Sequence, residues 1–568
     1  MRYQSQFIVH SHTSPPSFIT NVQTQTIPLR NYRSLSTDKN TETSRKVYYD
    51  SKGQEWYATI GLEIHAQISS PQKLFSGCRT DWDKEPNTNI FPQDIGIPGT
   101  LPVLNPDCIK KAVSTILALS GEVQLKSSFD RKHYFYPDQP LGYQITQHYE
   151  PIGLGGQLVL NEQDYASYSG EGKNTRNAPK GRIVRIKQVQ LEQDTAKSFH
   201  DIVPNKVLID FNRAGIGLME IVTEPDLTSG EEAGIFLSKI RDLLQTIKAS
   251  NAQMEQGSLR CDVNVSVFSP TSDNPRYNQV NTAVRCELKN MNSIKAVVAA
   301  TEREIKRHID VIENGPERDN QLVQETRGYN VKDNETFRIR AKEQAQDYRY
   351  MPEPDVPEIV LDDAIISRVR AELPELPDQK LERLMTQYGL KLEDAQTMMD
   401  VTGCTEFFEK VMRITKNRES SMAVVPWITS ELFGYMKFDT SSPSATKVGF
   451  EDLKITPAQL ASIVDDLKSN KLTSAMAKKV LQKIVLEQNK GLASEIAQQN
   501  GWTVISDDSE DLRKMCEKLI SNNPKEASKF KKGSNRVLGF FVGQVMKETK
   551  GQAKPQVVSR IFTELLSK

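Results

Sequence analysis

The sequence predicts an α+β N-terminal domain, a mixed or antiparallel sheet with helices, followed by all-α helical and tail domains. Two observations predict this fold class. Between about residues 47 and 361, several segments alternate polar and apolar residues with the period of two that marks half-buried strands. From about residue 362 this alternation ceases, and apolar residues recur at helical spacing between scattered prolines.

The alternation is clearest in residues 60–67 (IGLEIHAQ), 254–267 (MEQGSLRCDVNVSV) and 284–290 (VRCELKN). The polar faces of these segments carry, in chain order, Glu63, His65 and Gln67; Asp262, Asn264 and Ser266; and Arg285, Glu287 and Lys289. Strands normally disfavour Asp and Asn. Any one segment taken alone is equally well interpreted as a solvated edge strand. Because the pattern recurs, we predict one catalytic sheet face that suits a metal and phosphates.

Helices are predicted between these strands from their end signals. The first starts at Asn105 and Pro106 and ends at Gly121; the second starts from a capping box of Ser229 and Glu232 and runs to about residue 249; the third starts at Ser293 and ends at Gly315. Residues 163–182 are polar and rich in Gly, Asn and Lys, which predicts an exposed hairpin or insertion.

Residues 129–147 (FDRKHYFYPDQPLGYQITQ) place Arg131, Lys132 and His133 beside several Phe and Tyr residues. Basic residues next to aromatic rings can hold a nucleotide or a terminal base by charge and stacking. The alternative is the edge of an aromatic core with solvated charges.

A chain of 568 residues is long enough for three or four domains, and we place them at residues 46–361, 362–498 and 499–568. Lys plus Arg and Asp plus Glu both number 73, so any nucleic-acid surface must be local. No apolar run is long enough to span a bilayer, and no membrane insertion is expected. The six cysteines form no CxxC pair, which favours a reducing compartment.

Residues 1–45 are excluded from the predicted fold. The first 37 residues contain no Asp or Glu but include Arg2, Arg30 and Arg33 among many Ser, Thr and Gln residues. This composition predicts a mitochondrial transit peptide and a location in the mitochondrial matrix. The alternative is a disordered tail.

The last 45 residues, 524–568, contain ten Lys and Arg against three Asp and Glu. A basic helical module of this kind suits contact with a phosphate backbone. The alternative is a solubilising face.

These segments together resemble the GatB family, the B subunits of the tRNA-dependent amidotransferase that makes glutaminyl-tRNA(Gln) from glutamyl-tRNA(Gln). The resemblance runs in family order through residues 60–355 and returns in the tail domain. The motifs that carry it are IGLEIHAQ, KLFSGC, PNTN, PGTLPVLN, FDRKHYFYPD, GYQITQ, LEQDTAK, FNRAG, EIVTEPD, GSLRCDVNVSV, ELKNMNS, QETR, DYRYMPEPD and GFFVGQVMKETKGQAKPQ.

The resemblance implies that residues 46–361 form the family's cradle domain, with a kinase and transamidation site that uses ATP and Mg²⁺. The site would phosphorylate the glutamyl side chain of Glu-tRNA(Gln), and ammonia would attack the acyl phosphate. The ammonia would come from an amidase A subunit through a tunnel. A small third subunit would complete the complex, and the helical and tail domains would bind the tRNA.

Site roles follow from the matching motifs. Glu63, His65, Glu220 and Glu287 are the metal candidates, and Lys132, Ser258, Arg260 and Asn264 are the candidates for binding nucleotide phosphates. Mg²⁺ prefers carboxylates and water, so His65 either binds the metal or orients a water or the nucleophile. Glu63, His65 and Lys132 are also the predicted catalytic residues.

Three departures from the family pattern bear on the site. Gln193 and Gln256 each stand where the family usually has the second acid of a pair, which predicts a site with less negative charge. Some relatives also carry a four-cysteine zinc knuckle. Only Cys78 of that set is present here, since Ser76, Phe91 and Asp94 occupy the other places, so no zinc is expected.

Two other functions are alternatives to the ligase subunit. A non-catalytic tRNA-binding scaffold is favoured only by the two acid-to-amide changes. A stand-alone ligase would need its own ammonia source, and the sequence shows neither a Ser-Lys amidase signature nor a nucleophilic cysteine motif. Acceptance of Asp-tRNA(Asn) as a second substrate stays open at this point.

Overall fold

The computed structural model describes residues 45–81, 84–169, 181–273, 278–279, 283–315, 322–341, 347–416, 421–436, 453–506, 509–531 and 536–566. The predicted leader, residues 1–45, falls almost entirely outside them. None of the helices in the described ranges is both long enough and apolar enough to cross a bilayer.

Strands are confined to the first two thirds of the described chain. They are β1 (Val47–Tyr49), β2 (Glu55–Gln67), β3 (Glu122–Val123), β4 (Lys126–Ser127), β5 (Asp130–His133), β6 (Tyr143–Thr146), β7 (Gly153–Leu154), β8 (Gln157–Leu160), β9 (Arg182–Gln193), β10 (Lys197–Val203), β11 (Lys206–Asp210), β12 (Gly217–Thr223), β13 (Leu259–Phe268), β14 (Cys286–Leu288), β15 (Glu325–Asn330), β16 (Glu335–Ala341), β17 (Met351–Pro352) and β18 (Ile359–Val360).

Helices occur between the strands and make up the regular structure after β18, apart from short 3₁₀ and π turns. They are α1 (Pro106–Ala118), α2 (Glu162–Ser169), α3 (Gly230–Thr246), α4 (Ile294–Asn314), α5 (Asp363–Glu372), α6 (Pro377–Tyr388), α7 (Leu392–Met399), α8 (Cys404–Ile414), α9 (Phe433–Tyr435), α10 (Pro457–Lys468), α11 (Ser474–Glu487), α12 (Ala493–Gln499), α13 (Glu510–Asn522), α14 (Pro524–Lys531), α15 (Arg536–Glu548) and α16 (Pro555–Leu566).

The main sheet has the order β16-β15-β14-β13-β2-β12-β9-β7-β3. In addition, β1 pairs with β2, and β8 pairs with β9. Its pairs are antiparallel except for β14 with β15, which are parallel. The apolar face of β2, with Leu62, Ile64 and Ala66, is completely buried in the same core as helices α3 and α4. The mixed sheet with helices, followed by helices alone, confirms the predicted fold class.

The predicted helix starts are confirmed by their caps. The side chains of Asn105, Ser229 and Ser293 each accept a hydrogen bond from a backbone N–H in the first turn of α1, α3 and α4. Gly315 follows α4 with a φ of +82°, a conformation that costs a glycine little.

Two local predictions are wrong. Residues 163–169 of the predicted hairpin belong to α2, because Tyr165 packs into the core and Asp164 pairs with Lys239 of α3; residues 170–180 lie outside the described ranges. The capping box of α3 is only half formed. The Glu232 carboxylate accepts hydrogen bonds from Thr228 and Arg182 instead of returning to the Ser229 backbone.

Three large apolar clusters are buried along the described chain. One extends from Tyr48 to Val369, a second from Leu381 to Ala497, and a third from Leu512 to Leu566. Helix α5 contributes to the first cluster, since Val369 is buried in it and α5 packs against α1. The domain limits at residues 361 and 498 remain predictions.

Candidate active site

The polar residues of β2 lie at the centre of the sheet, where strand register brings side chains from both neighbours beside them. On β12, Glu220 is directly opposite His65. On β13, Arg260 is opposite His65 and Asp262 is opposite Glu63. Side chains directly opposite one another in an antiparallel pair have their Cβ atoms about 5 Å apart. The prediction that these strands share one polar face is therefore confirmed.

His65 is the centre of a carboxylate cluster. Its Nε2 atom lies 3.6 Å from Oε1 of Glu63 and 3.6 Å from Oε1 of Glu192. One ligand atom from each of His65, Glu192 and Glu220 lies within 4.8 Å of the others, and the same holds for Glu63, His65 and Asp262. The Glu63 side chain is 31% exposed, against 4% for Glu192, so solvent reaches the cluster on the Glu63 side.

The crowding of carboxylates makes full ionisation unfavourable without a cation. Burial raises the pKa of Glu220 well above its usual range, and the neighbouring Glu192 and Glu63 carboxylates raise it further. Burial also raises the pKa of Glu192, against the opposing effect of Lys132. Acidic groups that disfavour their own negative charge are a common signature of a functional site.

The pKa of His65 is shifted in the opposite direction. Burial lowers its pKa from 6.5 to about 3, and the positive charges of Arg260, Lys289 and Lys132 act in the same direction. A neutral imidazole keeps a lone pair, which is the form that binds a metal or accepts a hydrogen bond from water.

We expect His65 to stay neutral from pH 8 to pH 5 in the metal-free protein, because its pKa lies near 3. Ring ¹⁵N chemical shifts of histidine-labelled protein, assigned with a His65→Gln variant, measure this directly. A protonation step of the His65 ring near pH 6.5, its ordinary value, would contradict the prediction.

Lys132 reaches this cluster from a different sheet, the three-stranded β17-β5-β6. Burial acts to lower its pKa, but Glu192, Tyr350 and Glu220 raise it overall, so the ammonium stays charged. The Nζ atom lies 4.9 Å from the centre of the Tyr348 ring. As predicted, a basic residue thus lies next to aromatic rings at Lys132. The alternative interpretation, a charge exposed to solvent at the edge of an aromatic core, does not apply to this lysine.

The aromatic rings continue outward from Lys132. The His148 and Tyr350 rings stack at 3.8 Å with an interplanar angle of 4°, and Tyr149 packs edge-on against His148 at 4.8 Å. His148 and Tyr149 are exposed. These rings offer a stacking surface next to the charged site.

Arg260 is held at the other side of His65 by Asp194. Its Nη2 atom donates to Oδ2 of Asp194 at 2.7 Å, and Gln67 donates to the same oxygen at 2.9 Å. Burial acts to raise the pKa of Asp194, but Arg260 and Arg213 lower it overall, so this carboxylate stays ionised. Lys289 forms a similar pair with Asp262.

The remaining predicted residues lie further out. Glu287 is two strands away from His65, and its carboxylate accepts a hydrogen bond from Thr326 at 2.8 Å and lies 3.4 Å from Lys289. It is part of neither group around His65 within the described ranges, and its metal role stays a prediction. Asn264 is opposite Glu287 on the polar face. The Ser258 hydroxyl is bonded to both backbone groups of Gln253, so the turn itself accounts for this serine.

The strand pattern predicts polar faces that carry Asp262 and Lys289, but it assigns no site role to these two residues or to Glu192 and Asp194. The signal was present in each case, because strand alternation places Glu192 with Gln190 and Asp262 beside Asn264 on the polar face. Glu192 and Asp194 are both buried, and the approach of Glu192 to His65 depends on β9 lying next to β12. That neighbour relation is not encoded in either strand alone.

The two amide replacements do not lie in the carboxylate cluster. Gln193 follows Glu192 on the strand, so its side chain points to the opposite face. Gln256 is exposed in the turn before β13. The predicted loss of negative charge from the metal site stays a prediction.

A third cluster, Cys286, Glu304 and His308, is buried under β14. The Arg307 guanidinium already lies 2.6 Å from Glu304, and Arg327 lies 3.5 Å from it. The Glu304 carboxylate is therefore already paired with two guanidinium groups. This cluster is an internal ion network that connects α4 to the sheet.

The donor set around His65 fits a divalent cation such as Mg²⁺. Glu63, Glu192 and Glu220 offer carboxylate oxygens, the ligands that Mg²⁺ prefers. Their mutual repulsion, which raises the pKa values of Glu192 and Glu220, would be relieved by a bound cation. His65 would then offer a neutral imidazole nitrogen as a further ligand.

Comparison with known proteins gives a consistent result. Residues 58–367 match the family described as the GatB/GatE catalytic domain, and residues 406–566 match the family described as the GatB domain. The chain is similar to the B subunit of the aspartyl/glutamyl-tRNA(Asn/Gln) amidotransferase of Rickettsia rickettsii (strain Iowa), with 40% identity over 92% of this chain and 100% of the relative. The protein of the same name from Rickettsia conorii (strain ATCC VR-613 / Malish 7) is 39% identical, also over 92% and 100% of the two chains.

Proposed function

The chain belongs to the GatB family, and from this premise we propose that it converts Glu-tRNA(Gln) to Gln-tRNA(Gln) as the B subunit of a mitochondrial tRNA-dependent amidotransferase. The membership itself follows from the two matched regions and from relatives that share 40% of their residues across their full length. The choice of glutamate, of tRNA(Gln) and of the mitochondrial matrix is the proposal.

The observation that carries the proposed chemistry is the polar face with His65 at its centre. A carboxylate is a poor electrophile, and transfer of the γ-phosphoryl group of ATP to one of its oxygens gives an acyl phosphate and ADP. Ammonia then adds to the acyl carbon, phosphate leaves, and the amide forms with loss of a proton. Both steps need positive charge near the phosphates and a precisely held substrate.

The residues divide these tasks by charge. Lys132 on one side of the carboxylate cluster and Arg260 on the other supply fixed positive charge for phosphate oxygens. Glu63, Glu192, Glu220 and His65 would hold Mg²⁺, which supplies charge neutralisation to the nucleotide when bound. The stacked rings of His148 and Tyr350 offer an apolar face for a base.

We propose that the ammonia comes from another protein. All six cysteines are buried in the described structure, and none is presented as a nucleophile. An amidase A subunit that hydrolyses glutamine is therefore the proposed partner, together with a small third subunit. The Rickettsia relatives are themselves named as one subunit of an amidotransferase, which is consistent with such an assembly.

A mitochondrial matrix location is proposed from residues 1–37, which lack Asp and Glu and carry three arginines. Fusion of residues 1–45 to a fluorescent protein tests it. Import into mitochondria with removal of the leader would support it, and cytosolic fluorescence would contradict it.

The test of the catalytic proposal uses the chain co-expressed with the A and third subunits of its own organism. We expect Gln-tRNA(Gln) to form from Glu-tRNA(Gln), glutamine, ATP and Mg²⁺, and to be absent when ATP is omitted. Asp-tRNA(Asn) in a parallel reaction decides whether the substrate range extends to the second aminoacyl-tRNA in the relatives' name.

Glu63→Ala separates this function from the scaffold alternative. Because Glu63 is partly exposed, water can replace one of its oxygens, and we expect amidation to fall by about tenfold to a hundredfold, without loss of tRNA binding. Undiminished amidation by the variant would favour the scaffold and move the chemistry to another subunit.

A further inference from the structure

Lys73 is a completely buried lysine outside the carboxylate cluster. Its Nζ atom lies 3.0 Å from Oδ2 of Asp94, 3.0 Å from the Asn89 carbonyl oxygen and 3.4 Å from the Phe211 carbonyl oxygen. An ammonium group has three N–H donors, and here each has an acceptor. A fully satisfied buried charge of this kind connects three separate chain segments.

Asp94 is equally well satisfied. Its Oδ2 atom also accepts a hydrogen bond from the Phe91 backbone N–H at 2.8 Å, and its Oδ1 atom accepts one from the Ser76 hydroxyl at 2.8 Å. Ser76, Cys78, Phe91 and Asp94 are the four positions at which some relatives would carry zinc-binding cysteines. They do come together, but around a lysine.

This donor set does not fit zinc. Structural zinc sites use four Cys or His ligands. Here Cys78 is the single thiol, and burial raises its pKa, which keeps it in the neutral thiol form. The Asp94 carboxylate is already neutralised by Lys73.

The Lys73–Asp94 pair is connected to the active site through the turn at residues 211–216. The Leu74 N–H donates to the Gly215 carbonyl oxygen, and the Gly215 N–H donates to the Asp194 carbonyl oxygen, both at 2.9 Å. Gly215 has a φ of +80°, and a Cβ atom there would lie 3.0 Å from Oδ1 of Asp94. The turn therefore rests directly on the ion pair.

The same turn presents Arg213 to Asp194, with Nε at 3.7 Å from Oδ1. Asp194 in turn binds Arg260, the residue opposite His65. We propose that Lys73 and Asp94 form a metal-independent clasp that positions Asp194, and through it Arg260, at the phosphate side of the active site. Lys73 and Asp94 are thus positioning residues for the reaction.

The test compares Lys73→Met with the double variant Lys73→Met/Asp94→Asn in the assembled complex. Lys73→Met leaves a buried carboxylate without its cation, and we expect its Tm to fall by roughly 5–10 °C. The double variant removes both charges and should recover most of this loss. A methionine side chain cannot donate a hydrogen bond to the Phe211 carbonyl oxygen, so the turn at residues 211–216 loses this contact in both variants.

We therefore expect kcat for amidation to be about a tenth of wild type or lower in both variants, with the KM for glutamine unchanged. Lys239→Met is the matched control, since Lys239 is another largely buried lysine with two acidic partners, Asp164 and Asp378, on helices α2 and α6. It should lower Tm and leave kcat as in wild type.

Recovery of kcat together with Tm in the double variant would overturn the proposal, because the pair would then serve folding alone. A stoichiometric zinc ion in purified wild-type protein, with a fall in Tm on zinc-selective chelation, would also overturn it. The kinetic measurement rests on the proposed amidation, whereas the Tm and metal measurements do not, so failure of one is distinguishable from failure of the other.

Discussion

Replacing Glu220 with glutamine is expected to reduce amidation by about 10³-fold and at the same time to stabilise the metal-free protein. Glu220 is half-buried next to Glu192 and Glu63, and desolvation together with these two carboxylates raises its pKa well above the usual range. Gln190 donates to the Glu220 carboxylate at 2.6 Å, and a glutamine carbonyl can accept the same hydrogen bond. The substitution therefore removes an unfavourable charge and keeps the shape and the contact.

The stabilisation should depend on pH in a definite sense. An acid whose pKa is raised on folding binds its proton more tightly in the folded state, so the wild-type protein loses stability as pH rises above the unfolded pKa of about 4.3. Glu220→Gln removes the titrating group, so the variant does not lose stability in this way as pH rises. The gain from Glu220→Gln, on the order of 1 kcal/mol in the free energy of unfolding at pH 8, should shrink toward pH 5.

Denaturant unfolding of the isolated chain at pH 5, 6.5 and 8, with and without Mg²⁺, measures this gain. Glu232→Gln is the matched control: Glu232 is also buried, but it is paired with Arg182 at 2.6 Å. Its replacement should destabilise the chain and leave amidation intact. A Glu220→Gln variant that is less stable than wild type at pH 8 would show that Glu220 is not repelled by its neighbours.

Much of this site could be predicted from the strand pattern, because a period of two decides which side chains share a face whatever the neighbours are. Glu63 and His65 share one face of β2, and Arg260 and Asp262 share one face of β13, because each pair alternates with buried apolar residues. The register of the two strands then brings the two faces to the same side of the sheet. The caps at Asn105, Ser229 and Ser293 are equally local signals, and each marked the start of a helix.

The parts that could not be predicted depend on contacts between distant segments. Glu192 reaches His65 because β9 pairs with β12, about thirty residues further along the chain, and the strand sequence does not specify its neighbour. Gln193, the neighbour of Glu192, lies on the opposite face of β9, because adjacent residues on a strand face opposite ways. The Lys73–Asp94 pair joins an irregular segment to the short 3₁₀ turn Pro92–Ile95, and neither is long enough to show a periodicity that would indicate the contact.

Replacement of Lys132 is also expected to have a large effect on the reaction. The residue lies on β5, outside the main sheet, so strand alternation gives no reason to place it beside Glu192 and Glu220. Its neighbouring aromatic residues and the family motif make it a site candidate without indicating this contact. Lys132→Met removes a half-buried positive charge that offsets both carboxylates. We expect kcat/KM for ATP to fall by about 10³-fold, because the phosphates lose a fixed cation in a water-poor site.

Two comparisons make this prediction specific. Lys126→Met, on the neighbouring strand β4, removes an exposed lysine whose partner Glu358 is 3.7 Å away, and it should leave kcat/KM for ATP unchanged. Lys132→Arg keeps the charge but not the compact shape of an ammonium next to the Tyr348 ring, so it should recover only part of the loss. If Lys132→Met lowered kcat but left the KM for ATP as in wild type, the lysine would act on the acyl group after phosphorylation. Full activity would remove Lys132 from the site and leave Arg260 as the cation facing the phosphates.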